Sequence, residues 1–366
     1  DLTLAAEHIS GTGFQAIAYQ QQPDNIIWTI NGSNELVGLT YERDQKVFGW
    51  HRHKCTGDFE SVAVLPSSDG ADKVYVSIKL TVNSVVCRYI CKLDNREWGT
   101  NHTTEYNGLD YYSVVTNLNT GSLAGYDYAE GETYTIFADG VTTLTGVVDS
   151  DGYLNIGSAT EKTISSASIS SNHLVLNFTT AHGLSEGDII NVSGLSTGTT
   201  DPNGRYTLES GSITDSDTIT TDLTGDNQSY TTSGSSKITV YTLGGASYSR
   251  AVIGTPFTSI LAPLYLNQAS REGTSSGSKI NAPKAFIRFK DTVSAKVGQA
   301  SSGTYGPDSK NVLENVRFKG TGMVSEMAEA YLVNAPEYLQ TIFIVNDTPT
   351  PCTVLSMTPQ LYVGDL

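Results

Sequence analysis

The chain nearly repeats itself. The stretch PDNIIWTINGSNELVGLTYERDQKVFGWHRH, beginning at Pro23, is echoed 48 residues later, so that Asp24, Ile30, Val37, Tyr41 and Trp50 align with Asp72, Ile78, Val85, Tyr89 and Trp98. A period of about 20–50 residues marks repeated supersecondary units, and one of about 40–50 residues built from short strands matches the blades of a β-propeller. Most of the shared positions are aromatic or β-branched, the types that pack well on a pleated surface. The expected fold is therefore all-β.

Composition points the same way and limits the partners. The 366 residues include 35 Gly and 20 Tyr, with Ser and Thr plentiful, which is a β-protein's usage. On length alone two or three cores are expected. A formal charge of −16 and a pI near 4.7 give a surface that repels nucleic acid and anionic membranes, which argues against a DNA reader. No apolar run approaches the ~18 residues of a membrane span, and no charged-then-apolar leader opens the chain. The chain starts at Asp1 rather than Met, which reads as a fragment or a processed product. Cys55, Cys87, Cys91 and Cys352 are too few and scattered for a disulfide scaffold, so reduced thiols and folding in a cytoplasm are expected.

Strand signals dominate from Asn25 to about Leu93. Lys73 to Leu80 alternates, with Val74, Val76, Ile78 and Leu80 on one face and Tyr75, Ser77 and Lys79 on the other, the pattern of a half-buried strand. Turn pairs stand at Asn31-Gly32, Asp69-Gly70, Asp139-Gly140 and Asp151-Gly152, where Gly supplies positive φ. Two short segments read as helical: Leu2 to His8, and Val324 to Leu332 with Ser325 as its cap. Around Thr160 the composition turns rich in Ser, Thr, Asp and Gly and stays so to about Thr242. That gives three parts: 1–161 as a first propeller segment, 162–242 as an inserted small β-domain, and 243–366 as a second propeller segment ending in an extended, Pro-containing tail.

The segment from Pro23, with P-x-x-I-I-W, then Leu39-Thr40-Tyr41 and Val47-Phe48-Gly49-Trp50-His51-Arg52-His53, resembles the tail nozzle proteins of short-tailed phages, also called tail tubular protein B or stubby-tail proteins. Further matches follow in order: Gly131-Glu132 leading to Phe137-Ala138-Asp139-Gly140, then Ile253-Gly254-Thr255-Pro256-Phe257-Thr258-Ser259, then Thr353-Val354-Leu355-Ser356. Within the insert, Ala181-His182-Gly183-Leu184, Gly187-Asp188, Val192-Ser193-Gly194 and Asn203-Gly204-Arg205-Tyr206 resemble a small β-domain found in ubiquitin-activating enzymes and embedded in phage tail proteins. A fold can be reused without its function, so nothing about ubiquitin follows. Members of the nozzle class carry a substantial region before the segment that begins near Pro23, whereas 22 residues precede it here. A propeller built from this chain is then expected to be incomplete.

The resemblance implies a structural virion protein of the phage tail, made in the host cytoplasm. It implies a homohexameric ring that extends the portal channel, partners in a portal-adjacent adaptor protein and the tail fibres, and DNA passing through the lumen without sequence-specific binding. An acidic wall would let that DNA slide. The insert is expected to face outward.

Several residue groups invite a chemical reading. His51, His53 and Cys55 alternate along one strand and would share a face, as a zinc site needs, but no second ligand cluster accompanies them. His182 precedes a Gly, where a His commonly satisfies a backbone group in a turn. Asp127 with Glu130, Glu186 with Asp188, and Asp215 with Asp217 are short-range pairs of the kind that cap turns, whereas glycoside hydrolysis needs two carboxylates across a cleft. Trp28, Tyr41, Trp50, Tyr89 and Trp98 could stack on sugars, yet at repeated strand positions they read as core. No catalytic, cofactor-binding or metal-binding residue is assigned, no cofactor is expected, and the chain is read as a non-enzyme. The alternative is a propeller-based glycan-degrading enzyme or a carbohydrate-binding adhesin acting at the host surface.

Overall fold

The computed structural model describes residues 3, 6–68, 70–94, 101, 105–127, 129–196, 198–263, 265–266, 269–270, 273–274, 278–300, 312–333 and 340–363. Trp98 and Asp69, both singled out above, lie outside them. The architecture is all-β, as the repeat and composition lead one to expect. The chain divides into two compact units, one of residues 1–93, 114–138 and 142–251, the other of 94–113, 139–141 and 252–366.

The first unit includes a single helical turn, α1 (Glu7–Ser10), which overlaps the end of the helix expected at Leu2 to His8; Leu2, Leu4 and Ala5 lie outside the described residues. Then comes an antiparallel meander of β1 (Phe14–Gln20), β2 (Ile26–Asn31), β3 (Leu36–Glu42) and β4 (Val47–His53). A second, three-stranded meander follows: β5 (Asp58–Leu65), β6 (Lys73–Val82) and β7 (Val85–Lys92). The echo falls on matching hairpins, β2–β3 and β6–β7. Within it, Asp72 Oδ2 accepts the backbone N–H groups of Gln21 at 2.8 Å and Gln22 at 3.0 Å, which ties the second meander to the first. Alternation on β6 is as read, with Val74, Val76 and Ile78 buried.

The third sheet joins β8 (Asp110–Leu118), β9 (Ser122–Leu123), β10 (Thr133–Ala138), β11 (Thr142–Val148) and β12 (Leu154–Ile156) in the order β8-β20-β10-β11-β12-β9, where β20 (Tyr248–Thr255) arrives from far along the chain. Asp139 and Gly140 connect β10 to β11 with φ of 48° and 69°. Ala138 pairs with Thr142, so with Val141 the loop is three residues long, and Gly140 takes its positive φ at no steric cost.

Between β12 and β20 the chain forms β13 (Ser158–Ser170), β14 (His173–Phe178), β15 (Ile189–Ser193), β16 (Gly204–Thr207), β17 (Thr218–Thr220), β18 (Gln228–Tyr230) and β19 (Lys237–Thr242). The long β13 pairs with β19 over Ser158–Thr163 and with β14 from Ile164 to Ser170. A bulge between Ile164 and Ser166 marks the change of partner, since an extra residue bends the strand there. Ile164, Leu174, Leu176, Ile190, Ile219 and Ile238 all lie in one apolar cluster whose buried members run from residue 164 to 240.

In the second unit one sheet has the order β21-β28-β25-β26, with β21 (Ser259–Leu261), β25 (Lys296–Ala300), β26 (Glu314–Asn315) and β28 (Thr341–Asn346). Another has the order β27-β24-β29, with β24 (Ile280–Lys290), β27 (Met327–Tyr331) and β29 (Thr353–Val363); β22 (Ala269–Ser270) and β23 (Gly273–Thr274) pair separately. The tail is extended, as its prolines suggest. Strand β28 is buried on both faces: Ile342 and Ile344 pack with β24, Phe343 and Val345 with Ala300. Residues 324–332, expected as a helix, instead contain β27. Its pairing with β24 buries Ala328 and Ala330 and leaves Met327, Glu329 and Tyr331 on the other face. Helix propensity over so few residues is a weak preference that sheet pairing overrides.

Candidate functional site

The residues that drew a chemical reading around β4 form one packed group. Trp28 on β2, Gly38 on β3 and His51 on β4 are register neighbours across three strands. Because residue 38 has no side chain, the imidazole of His51 lies directly over its Cα, where a Cβ would collide with Cε1. The ring then meets Trp28 edge-on at 5.3 Å, and His53 lies 5.4 Å from the same indole. His51 Nδ1 and His53 Nε2 are 2.9 Å apart, one donating to the other. Burial holds His51 below its usual pKa. His53 is pushed down to about 4 by the protein mass around its ring and secondarily by His51, although the residue as a whole is exposed to solvent. At neutral pH both rings are uncharged.

Cys55 does not join the histidines. Its thiol lies 3.2 Å from the carbonyl of Gly57, and the residue lines an open cleft of about 380 Å³ together with Glu35, Lys54, Asp58 and Lys79. Glu35 takes Lys54 Nζ at 2.7 Å and Asn31 Nδ2 at 2.8 Å, with Arg52 at 3.6 Å. Burial alone would raise its pKa, but the hydrogen bonds and charges of these neighbours outweigh that and hold the carboxyl below its usual range. It is thus an ionised, paired carboxylate and lacks the raised pKa of a general acid. Among the described residues no three His, Cys, Asp or Glu side chains are grouped to hold a metal ion, and all four cysteines are free thiols.

Among the described residues, Trp28, Trp50 and Tyr41 of the aromatic repeat are committed to packing. Trp28 is buried and donates Nε1–H to Gln20 at 2.9 Å. Trp50 stacks on Phe14 at 5.9 Å and packs against Ala6, Ile9 and Val37. Tyr41 packs on Phe48, and Tyr89 is half-buried.

His182 satisfies backbone groups on both sides. Its Nδ1 accepts the N–H of Leu184 at 2.9 Å, which leaves Nε2 to donate to the carbonyl of Asp215 at 2.9 Å. The paired acids act locally: Glu186 accepts the Gly211 N–H, Asp188 that of Ser185, and Asp215 that of Asp217. Asp127 lies against Gly152, and Glu130 reaches Asn83 at 3.4 Å. None of the three pairs faces the cleft.

Sequence reasoning named Arg205 within a motif of the insert but gave its side chain no role. Its side chain is 7 % exposed; it pairs with Asp149, approaches Asp151 at 3.5 Å, and lies 4.3 Å over the ring of Tyr153. The turn it closes is itself preformed, because Asp149 also accepts the N–H groups of Asp151 and Tyr153 and the amide of Asn155. A lone arginine in a base-poor insert and an Asp-x-Asp-Gly turn were the only local signals. No protein-family model matches the chain, and no curated protein matches it.

Proposed function

We propose that this protein is a structural subunit of a short-tailed phage tail, built as part of a β-propeller with an inserted β-domain and assembled as a ring around a channel. The observation that carries the reading is where apolar surface is left uncovered. Large hydrophobic residues are exposed at positions from 14 to 147 and from 257 to 363, whereas none is exposed among the described residues from 148 to 256. The insert therefore has a finished, polar surface. Strands elsewhere in the chain do not: Ile17 on β1 is 76 % exposed and Ile90 on β7 is 82 % exposed. Where such side chains gather into one patch, the exposed apolar surface is costly in a monomer and marks a contact face.

The two consecutive meanders β1–β4 and β5–β7 support a blade-like repeat, and further blades or neighbouring copies would cover the exposed faces of these two meanders. The resemblance in the segment from Pro23 to His53 supports the nozzle class, and the excess of sixteen negative charges suits a wall along which DNA must not stick. The adaptor protein and the tail fibres are the partners this reading implies. Native mass measurement with negative-stain imaging tests it. A six-fold ring with an axial channel is expected; a stable monomer at virion-like concentrations overturns the reading.

A further inference from the structure

The sheet of β27, β24 and β29 has two chemically different faces. Ala285, Ile287 and Phe289 point into the apolar cluster, with Ala328, Ala330 and Met357 from the flanking strands. The opposite face of β24 carries Lys284, Phe286, Arg288 and Lys290 in alternation, three cations and a ring spread over about 20 Å at ~3.3 Å per residue. Tyr331 stands beside Lys284 on one side and Gln360 on the other. Tyr331 and Tyr362 are 64 % and 56 % exposed.

This face is ordered before any ligand arrives. Lys284 Nζ is 2.7 Å from Glu329 and lies 4.7 Å over Phe286 and 5.3 Å over Tyr331, so it holds both rings in place. Gln360 donates to the Tyr362 hydroxyl at 3.1 Å. Arg288 is exposed, and among the described residues no ion pair engages it; Lys290 has only a loose approach of 3.8 Å to Asp291. Ser356 and Thr358 add hydroxyls in register with Arg288 and Phe286.

The charge around it also departs from the rest of the chain. Residues 252–366 contain nine Lys or Arg and nine Asp or Glu, against totals of 22 and 38, so the whole negative excess lies in residues 1–251. An anionic ligand would be repelled over most of this protein and accepted here.

We propose that this face binds a linear acidic polysaccharide of the uronic-acid type. The Tyr331 and Tyr362 rings would lie against the apolar faces of sugar units, Arg288 and Lys290 would pair with their carboxylates, and Ser356, Thr358 and Gln360 would hydrogen-bond hydroxyls. Single-stranded nucleic acid fits less well, because its phosphate at every nucleotide demands a denser row of cations and meets the acidic remainder of the chain. The inference does not rest on the tail-protein reading, and oligomeric mass measured on the same samples reports on that separately.

Affinity electrophoresis of the full chain through gels containing alginate tests it, with dextran and polyglutamate gels and a thymidine oligonucleotide as comparators. Alginate is expected to retard the protein saturably, more than dextran or polyglutamate. Arg288→Gln and Tyr331→Ala should each weaken that retardation about tenfold, the loss of roughly one good contact, whereas Arg88→Gln, on β7, should not. Arg288 is an exposed side chain, so its variant stays informative if Tyr331→Ala proves unstable. Absence of retardation, equal retardation by polyglutamate, tighter binding of the oligonucleotide, or full retardation of Arg288→Gln overturns the proposal.

Discussion

The imidazole of His51 occupies the space that a side chain at Gly38 would need. The two residues face each other across β3 and β4, and Trp28 closes the far side. Glycine in a strand interior is unfavourable, so its presence here is explained by the close approach of the ring.

Gly38→Ala should therefore destabilise the first meander by about 1–3 kcal/mol, the usual cost of forcing atoms into a packed site. Chemical denaturation measures it. In the double variant Gly38→Ala, His51→Ala the cost should be clearly less than the sum of the single changes, since the collision partner is gone; strict additivity would refute the packing relation.

The histidine pair predicts a direction for pH dependence. The folded-state pKa of His53 lies at about 4, below the usual 6.5, and His51 is lowered too. Such groups contribute stability above the unfolded pKa, and it is lost as pH falls from about 6.5 toward 4. NMR titration should find the His53 ring neutral at pH 6. His53→Phe should flatten the fall in melting temperature over that window; an unaltered slope would count against the assignment.

Arg205 holds the turn between β11 and β12. Removing one partner of a largely buried ion pair leaves the other uncompensated, and Asp149 is only 24 % exposed, so Arg205→Met should cost about 2–4 kcal/mol. Amide hydrogen exchange should rise at residues 149–155. Unchanged exchange there, together with an unchanged melting temperature, would show that the pair does not brace the turn.

Strand β27 predicts an alternating sensitivity. Ala330→Lys should unfold or strongly destabilise the second unit because Ala330 is buried within the cluster. Glu329→Gln, one residue away on the exposed face, should leave the denaturation midpoint nearly unchanged. Comparable losses at both positions would instead fit a helix.

Much of this was legible locally. The alternation Val74, Val76, Ile78 reports the buried face of β6 because a strand's side chains switch faces at every residue. The Asp139-Gly140 turn was legible because few other residue pairs adopt positive φ twice. What escaped depended on distant partners. Residues 324–332 have no strand signal of their own, and only β24 makes Met327–Tyr331 a strand. Arg205 meets Asp149 across 56 residues, a separation at which neither residue marks the other. His51 and Cys55 alternate as zinc ligands would, yet one ring is taken up by Trp28 and Gly38 and the thiol turns to Gly57.

By itself the sequence determined that the chain is all-β, where many of its hairpins turn, and which side chains share a face, since each follows from the pleat and from backbone sterics within a few residues. Tertiary structure alone decided which of those faces ends inside. Val37 and Val85 occupy the same place in the 48-residue echo, but Val37 is fully buried beneath α1 and Trp50 while Val85 is 61 % exposed. A strand's alternation depends only on its own residues, whereas burial depends on what another part of the chain lays over it.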